Sequence, residues 1–86
     1  MRIFLTIKTW KEGQHYVAYT PELDVSSQGK SSGDAEKRLQ EAIDLFLDET
    51  KRLGTFHDVL GSVGFLRKDR HWIAPQVSLS FLEVSA

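Results

Sequence analysis

Three histidines, His15, His57 and His71, are the first side chains to test for a general base or a metal ligand. None stands at an i, i+4 or H-x-H spacing from another. A zinc site needs three or four ligands, and the chain has no cysteine to supply the rest. The plainer reading puts His15 on a strand flank, His57 in the first turn of a short helix and His71 on a loop. Glu22 and Asp24 follow Pro21 between two expected strands. Two loop carboxylates suit Mg²⁺, but residues so placed more often make turn hydrogen bonds or touch a partner. Serines are frequent, yet none lies in a G-x-S-x-G elbow. Gly29-Lys30-Ser31 matches the end of a phosphate loop, but Asp24 stands where that motif needs its first glycine. A turn followed by a helix N-cap fits better. Arg67-Lys68-Asp69-Arg70-His71-Trp72 mixes charge with aromatic rings, as a nucleic-acid contact would, and reads more simply as a solvated loop. No catalytic residue, metal or cofactor is expected, and the chain does not read as an enzyme.

The elements that position these residues follow from periodicity. Ile3, Leu5 and Ile7 alternate with Phe4, Thr6 and Lys8, which predicts a strand over 2–10. Lys11 to Gln14 is polar and contains a glycine, the mark of a hairpin loop. A second strand is expected over 15–20, stopped by Pro21, and a short third over Val25–Gln28, stopped by Gly29. Ser31 stands three residues before Asp34, a capping-box-like start. Ala35, Leu39, Ala42, Ile43, Phe46, Leu47 and Leu53 then form one apolar stripe, and Gly54 is a natural C-cap, so a helix is predicted over about 32–53. Asp34–Arg38 and Asp48–Arg52 are spaced to pair along it. Thr55 and Asp58 repeat the capping spacing before a short second helix closed by Gly64. Residues 66–76 read as an irregular loop from which Trp72 and Ile73 tuck back. Val77, Leu79 and Phe81 alternate with Ser78 and Ser80, which predicts a last strand over 77–84. The order β-β-β-α-α-β gives an α/β (α+β) two-layer sandwich, with the long helix covering one face of the sheet.

Composition bounds what such a domain does. At 86 residues the chain is one domain. With 11 basic and 12 acidic residues it lacks the basic excess of a phosphate-gripping protein, so direct nucleic-acid binding is not favoured. No apolar run approaches bilayer-spanning length and no signal peptide is recognisable, so a cytoplasmic location is expected. A domain this small has a thin stability margin. Self-association through an exposed strand edge, as a homodimer or tetramer, would widen it.

The stretch Tyr16-Val17-Ala18-Tyr19-Thr20-Pro21-Glu22-Leu23-Asp24-Val25-Ser26-Ser27-Gln28-Gly29 resembles the signature of the HicB-like antitoxin family, Y-x-A-x-x-P-E-L followed by S-Q-G. Ala35 and Glu41-Ala42-Ile43 in the helix, then Gly54-Thr55 with Leu60 and Gly64-Phe65, are similar to later family features. Asp24-Val25 departs from the Pro-Gly-Cys found in many members. The resemblance covers most of the chain. It implies a partial ribonuclease H-like fold with sheet order 3-2-1-4, lacking the acidic catalytic set. It also implies a role: binding and neutralising a HicA-like toxin protein that cleaves mRNA. Many members carry a DNA-binding domain as well, and none is expected here. Tyr16, Ala18, Pro21, Leu23, Ser27, Gln28 and Gly29 are expected to be structural parts of the signature. Tyr19, Glu22 and Asp24 are the expected partner contacts, forming an acidic patch suited to a basic toxin. The alternatives are an orphan oligomeric interaction module of the same fold, and a degenerate ribonuclease H-like hydrolase.

Overall fold

The computed structural model describes residues 3–85. Strands β1 (Lys8–Glu12), β2 (His15–Thr20) and β3 (Val25–Gly29) form an antiparallel sheet in the order β1-β2-β3. Helix α1 (Ser32–Leu53) crosses one face of it, and α2 (Phe56–Ser62) follows. Strands β4 (Leu66–Lys68) and β5 (His71–Ile73) make a separate two-stranded hairpin. The chain is thus a mixed α+β domain with small antiparallel sheets.

Helix α1 begins where its sequence directs. Ser31 Oγ accepts the Asp34 N–H at 3.0 Å, and the Asp34 carboxylate accepts the Lys30 N–H at 2.9 Å. Two otherwise unpaired donors are met at the positive end of the helix dipole. Gly54 ends the helix in the left-handed region, with φ 74°. The core forms where α1 meets the sheet, from Ala18, Leu23, Ala35, Leu39 and Ile43, and continues into Phe56, Leu60 and Phe65. Leu53 lies outside it, 58% exposed, although it sits on the apolar stripe. Thr50 is buried instead and bonds its hydroxyl to Leu47 O at 2.8 Å. Asp34–Arg38 pair at 3.3 Å as spaced, whereas Arg52 turns to Glu49 rather than Asp48. Thr55 precedes α2 but makes no side-chain cap, and its hydroxyl goes back to Thr50 O.

Four expectations about strands are corrected. The first strand starts at Lys8 and not at residue 2, which lies outside the described residues. The register pairs Lys8 with Tyr19, so continuing it would set Thr6 opposite Pro21, where β2 has turned away. The polar hairpin loop narrows to Gly13-Gln14, because Lys11 and Glu12 pair with Tyr16 and His15. The expected loop at 66–76 contains the β4–β5 hairpin, turned at Asp69 with φ 57°. Residues 77–84 form no strand, so the order 3-2-1-4 is realised only as far as 3-2-1. Their alternation is real, but among the described residues no strand pairs with them, and every residue from 76 to 85 is exposed.

Candidate functional site

The family-like signature occupies one place in the fold: β2, the turn 21–24 and β3. On the side of the sheet facing α1, Ala18 and Thr20 are fully buried and Tyr16 packs against the core. Only a side chain as small as Ala18 lets the helix approach that closely. Leu23 leaves the turn to enter the core, and Pro21 stays exposed at the exit from β2. Gly29 is required by space and not by a turn, since it lies in β3. A methyl group there would sit 2.5 Å from Ala35 N and 2.8 Å from Asp34 C. Ser27 and Gln28 lie on opposite faces of β3, and among the described residues neither side chain makes a hydrogen bond at the sheet-to-helix passage.

Glu22 and Asp24 divide in role. Glu22 is buried, and its carboxylate accepts the Thr6 N–H at 2.9 and 3.1 Å and the Thr20 hydroxyl at 3.1 Å. It thereby replaces the ladder partner that Thr6 loses where β2 ends. Burial raises its pKa, but the hydrogen bonds from Thr6, its own backbone and Thr20 together outweigh burial and hold it below the ordinary glutamate value. With both oxygens engaged, Glu22 joins no acidic surface patch. Asp24 is exposed, holds a left-handed φ of 55°, and accepts the Tyr19 hydroxyl at 2.9 Å. That hydrogen bond, with lesser effects of burial and the Asp24 charge, raises the Tyr19 pKa.

Tyr19 belongs to the sheet face that no helix covers. Directly opposed residues share a face, so the pairs Lys8↔Tyr19 and Trp10↔Val17 place these four together. Gln28 opposes Val17 and Ser26 opposes Tyr19 on the neighbouring strand. The Lys8 ammonium lies 5.6 Å from the Trp10 ring, and Trp10 remains 37% exposed. Val17 is buried at the centre of the face. Two aromatic side chains around an apolar centre, with Lys8 and Asp24 at the margin, make a surface suited to a protein partner. Trp10 was not among the residues singled out from the sequence. In the sequence it is only the last position of an expected strand over 2–10, and its cross-strand neighbours appear only once the register is known.

The histidines do not converge. His15 opens β2, His57 lies in the first turn of α2 and His71 opens β5. Among the described residues no three His, Asp or Glu side chains gather as metal ligands. His57 instead packs edge-on against Trp72 at 5.3 Å and against Phe56 at 5.8 Å, with the Arg67 guanidinium 6.0 Å from the Trp72 ring and its Nη1 3.1 Å from His57 Nδ1. This cluster holds the β4–β5 hairpin against α2. It occupies Arg67, the first cation of the basic stretch, while Lys68 and Arg70 stay exposed.

No helix among the described residues is long and apolar enough to cross a membrane. No family model, curated protein or solved structure matches the chain.

Proposed function

We propose that this chain is a HicB-like antitoxin, a binding protein and not an enzyme, which neutralises a HicA-type mRNA-cleaving toxin in the cytoplasm by protein–protein contact. The observation that carries the reading is the helix-free sheet face, where Trp10 and Tyr19 flank Val17 beside the exposed Asp24. The signature residues support it by their joint role. Ala18, Leu23 and Gly29 seat the β2–β3 hairpin on α1, and Glu22 ties the segment before β1 to that hairpin. The same reading carries a finer fold, the partial ribonuclease H-like sheet of order 3-2-1-4, in which 77–84 is the fourth strand. A hydrolase reading gains nothing from Glu22, whose carboxylate is already spent on Thr6 and Thr20.

The test is co-expression with the product of a small open reading frame neighbouring the gene for this chain, where it encodes a basic, toxic protein. Rescue of growth together with a stoichiometric complex is the expected result. Trp10→Ala or Tyr19→Ala should then weaken the complex by about 2 kcal/mol, roughly 30-fold in Kd. A toxic neighbour that neither co-purifies with the chain nor is neutralised by it overturns the proposal.

A further inference from the structure

Two segments of this chain carry strand patterning and lack a strand to pair with. The first is 3–7. Ile3 and Leu5 pack against the core, yet among the described residues no backbone hydrogen bond joins this segment to another. Its Thr6 N–H is taken by the Glu22 side chain. In an extended segment successive residues turn their backbone groups to opposite sides. With Thr6 facing the β2–β3 turn, the groups of Leu5 and Ile7 face the open edge. Beside that edge runs a groove of roughly 370 Å³ lined by Ile3, Leu5, Ile7, Ile43, Leu47 and Phe56 together with Gln40, Asp44 and Lys51. The second segment is 77–84. Pro75 is seated beside Gly64, where an added methyl group would stand 3.4 Å from the proline ring. Beyond it Val77 is 42% exposed, and every residue to 85 is exposed likewise. Leu79 is 72% exposed, Leu82 85%, and Phe81 wholly so.

We infer that segment 77–84 of one copy pairs with the 3–7 edge of a second copy and fills the groove beside it, reciprocally, so that two chains complete one another's sheet. The groove is lined mostly by apolar side chains, with Gln40, Asp44 and Lys51 among them, and lies beside an open strand edge; the segment alternates Val77, Leu79 and Phe81 with Ser78 and Ser80, carries no charge from Ala74 through Leu82, and has Glu83 near its end. Residues 77–82 are uncharged and can enter the apolar part of the groove without burying an unpaired charge, and their alternate side chains point into the groove while their backbone pairs at the edge. A β-patterned, uncharged stretch such as 77–82 left in solvent would also be an aggregation site, and exchange removes it. Helix α1 is about 33 Å long by its 22 residues, and its second half, from Ile43 onward, flanks the groove. The exchanged strand extends the sheet beneath that half. The inference is independent of the toxin: it concerns a different edge from the face that carries Trp10 and Tyr19.

Sedimentation equilibrium or light scattering at micromolar concentration tests it. The wild-type chain should show twice its 9.8 kDa mass. Leu79→Asp combined with Phe81→Asp should halve the apparent mass with the far-ultraviolet circular dichroism unchanged, because both side chains are exposed and lie outside the core. The chain has no cysteine, so single-cysteine variants Phe4→Cys and Leu79→Cys can be mixed and oxidised. A disulfide joining the two different chains is expected. A monomeric wild-type chain, a dimer that survives the double aspartate change, or a Phe4→Cys, Leu79→Cys double variant that oxidises only within one chain overturns the inference.

Discussion

At Gly29 there is no room for a methyl group, and the atoms in the way belong to backbone. Ala35 N would lie 2.5 Å from it, at the start of a helix whose position the whole core depends on. Gly29→Ala should therefore destabilise the fold by about 1–3 kcal/mol, as overpacking does. Gly61, in α2, has nothing within 4 Å of the corresponding position. Gly61→Ala should stabilise by up to about 1 kcal/mol through helix propensity. Urea denaturation of the two variants reads both signs. Glu22 makes a second prediction at this scale. Its folded-state pKa lies below the unfolded value, so its contribution is complete above the unfolded pKa and is lost as pH falls through the folded one. Stability should decline below about pH 4.3, the ordinary glutamate value. In Glu22→Gln that decline should be shallower, with lower stability at neutral pH. It should not vanish, because Asp34, bonded to the Lys30 N–H, and Glu49, bonded to Arg52, are shifted the same way. Equal slopes in the two proteins would show that Glu22 is not ionised by this network.

The two helices carry the same capping spacing and use it differently. Ser31 caps α1 through the Asp34 N–H, while Thr55 makes no cap on α2 and bonds the end of α1 instead. Ser31→Ala should cost about 1 kcal/mol. The corresponding change Thr55→Ala should cost distinctly less, since its bond to Thr50 O is long at 3.4 Å. Thermal unfolding of the pair checks the difference, and equal losses would mean that spacing alone governs capping here. The exposed pairs Asp34–Arg38 and Glu49–Arg52 sit on the solvent side of α1, where ion pairs contribute little. They orient side chains more than they hold the helix to the sheet. That attachment comes from Ala35, Leu39 and Ile43 against β2, β3 and the turn between them.

For the molecule as a whole, shape is the informative quantity. A compact chain of this length has a radius of gyration near 12 Å, whereas this one measures 14.8 Å with extents of 44 × 29 × 18 Å. The excess comes with a β4–β5 hairpin that stands apart from the main sheet and a segment from 76 to 85 that is exposed along its length. Small-angle scattering of the Leu79→Asp, Phe81→Asp variant should return this elongated single chain. A compact profile near 12 Å would mean that the segment folds back within its own chain. Strand exchange and partner binding use separate surfaces, one at the 3–7 edge and the other on the face around Val17. Trp10→Ala should accordingly leave the molecular mass unchanged, while the double aspartate change leaves the Trp10 face intact.

Local pattern was enough to place β2, the extent of α1 with its Ser31 start and Gly54 end, the short second helix, and the mixed α+β make-up of the domain. Each of these is decided by neighbours a few residues apart: alternation, the three-to-four spacing of apolar side chains, a cap, a proline. The same pattern marked 2–10 and 77–84 as strands, and there it could not decide. A strand exists only where a second backbone supplies its hydrogen bonds, and whether one is in reach is a long-range fact. Pro21 turns β2 away before it can pair with Thr6, and beyond Pro75 the last segment is exposed along its length. Glu22 and Asp24 illustrate the limit within two residues: both are loop carboxylates in the sequence, yet one is buried as a clamp on Thr6 and the other is exposed on Tyr19. Trp10 shows the converse. Its residue type was visible from the start, but its place beside Val17 and Tyr19 came from the register of β1 on β2, which is set by the fold.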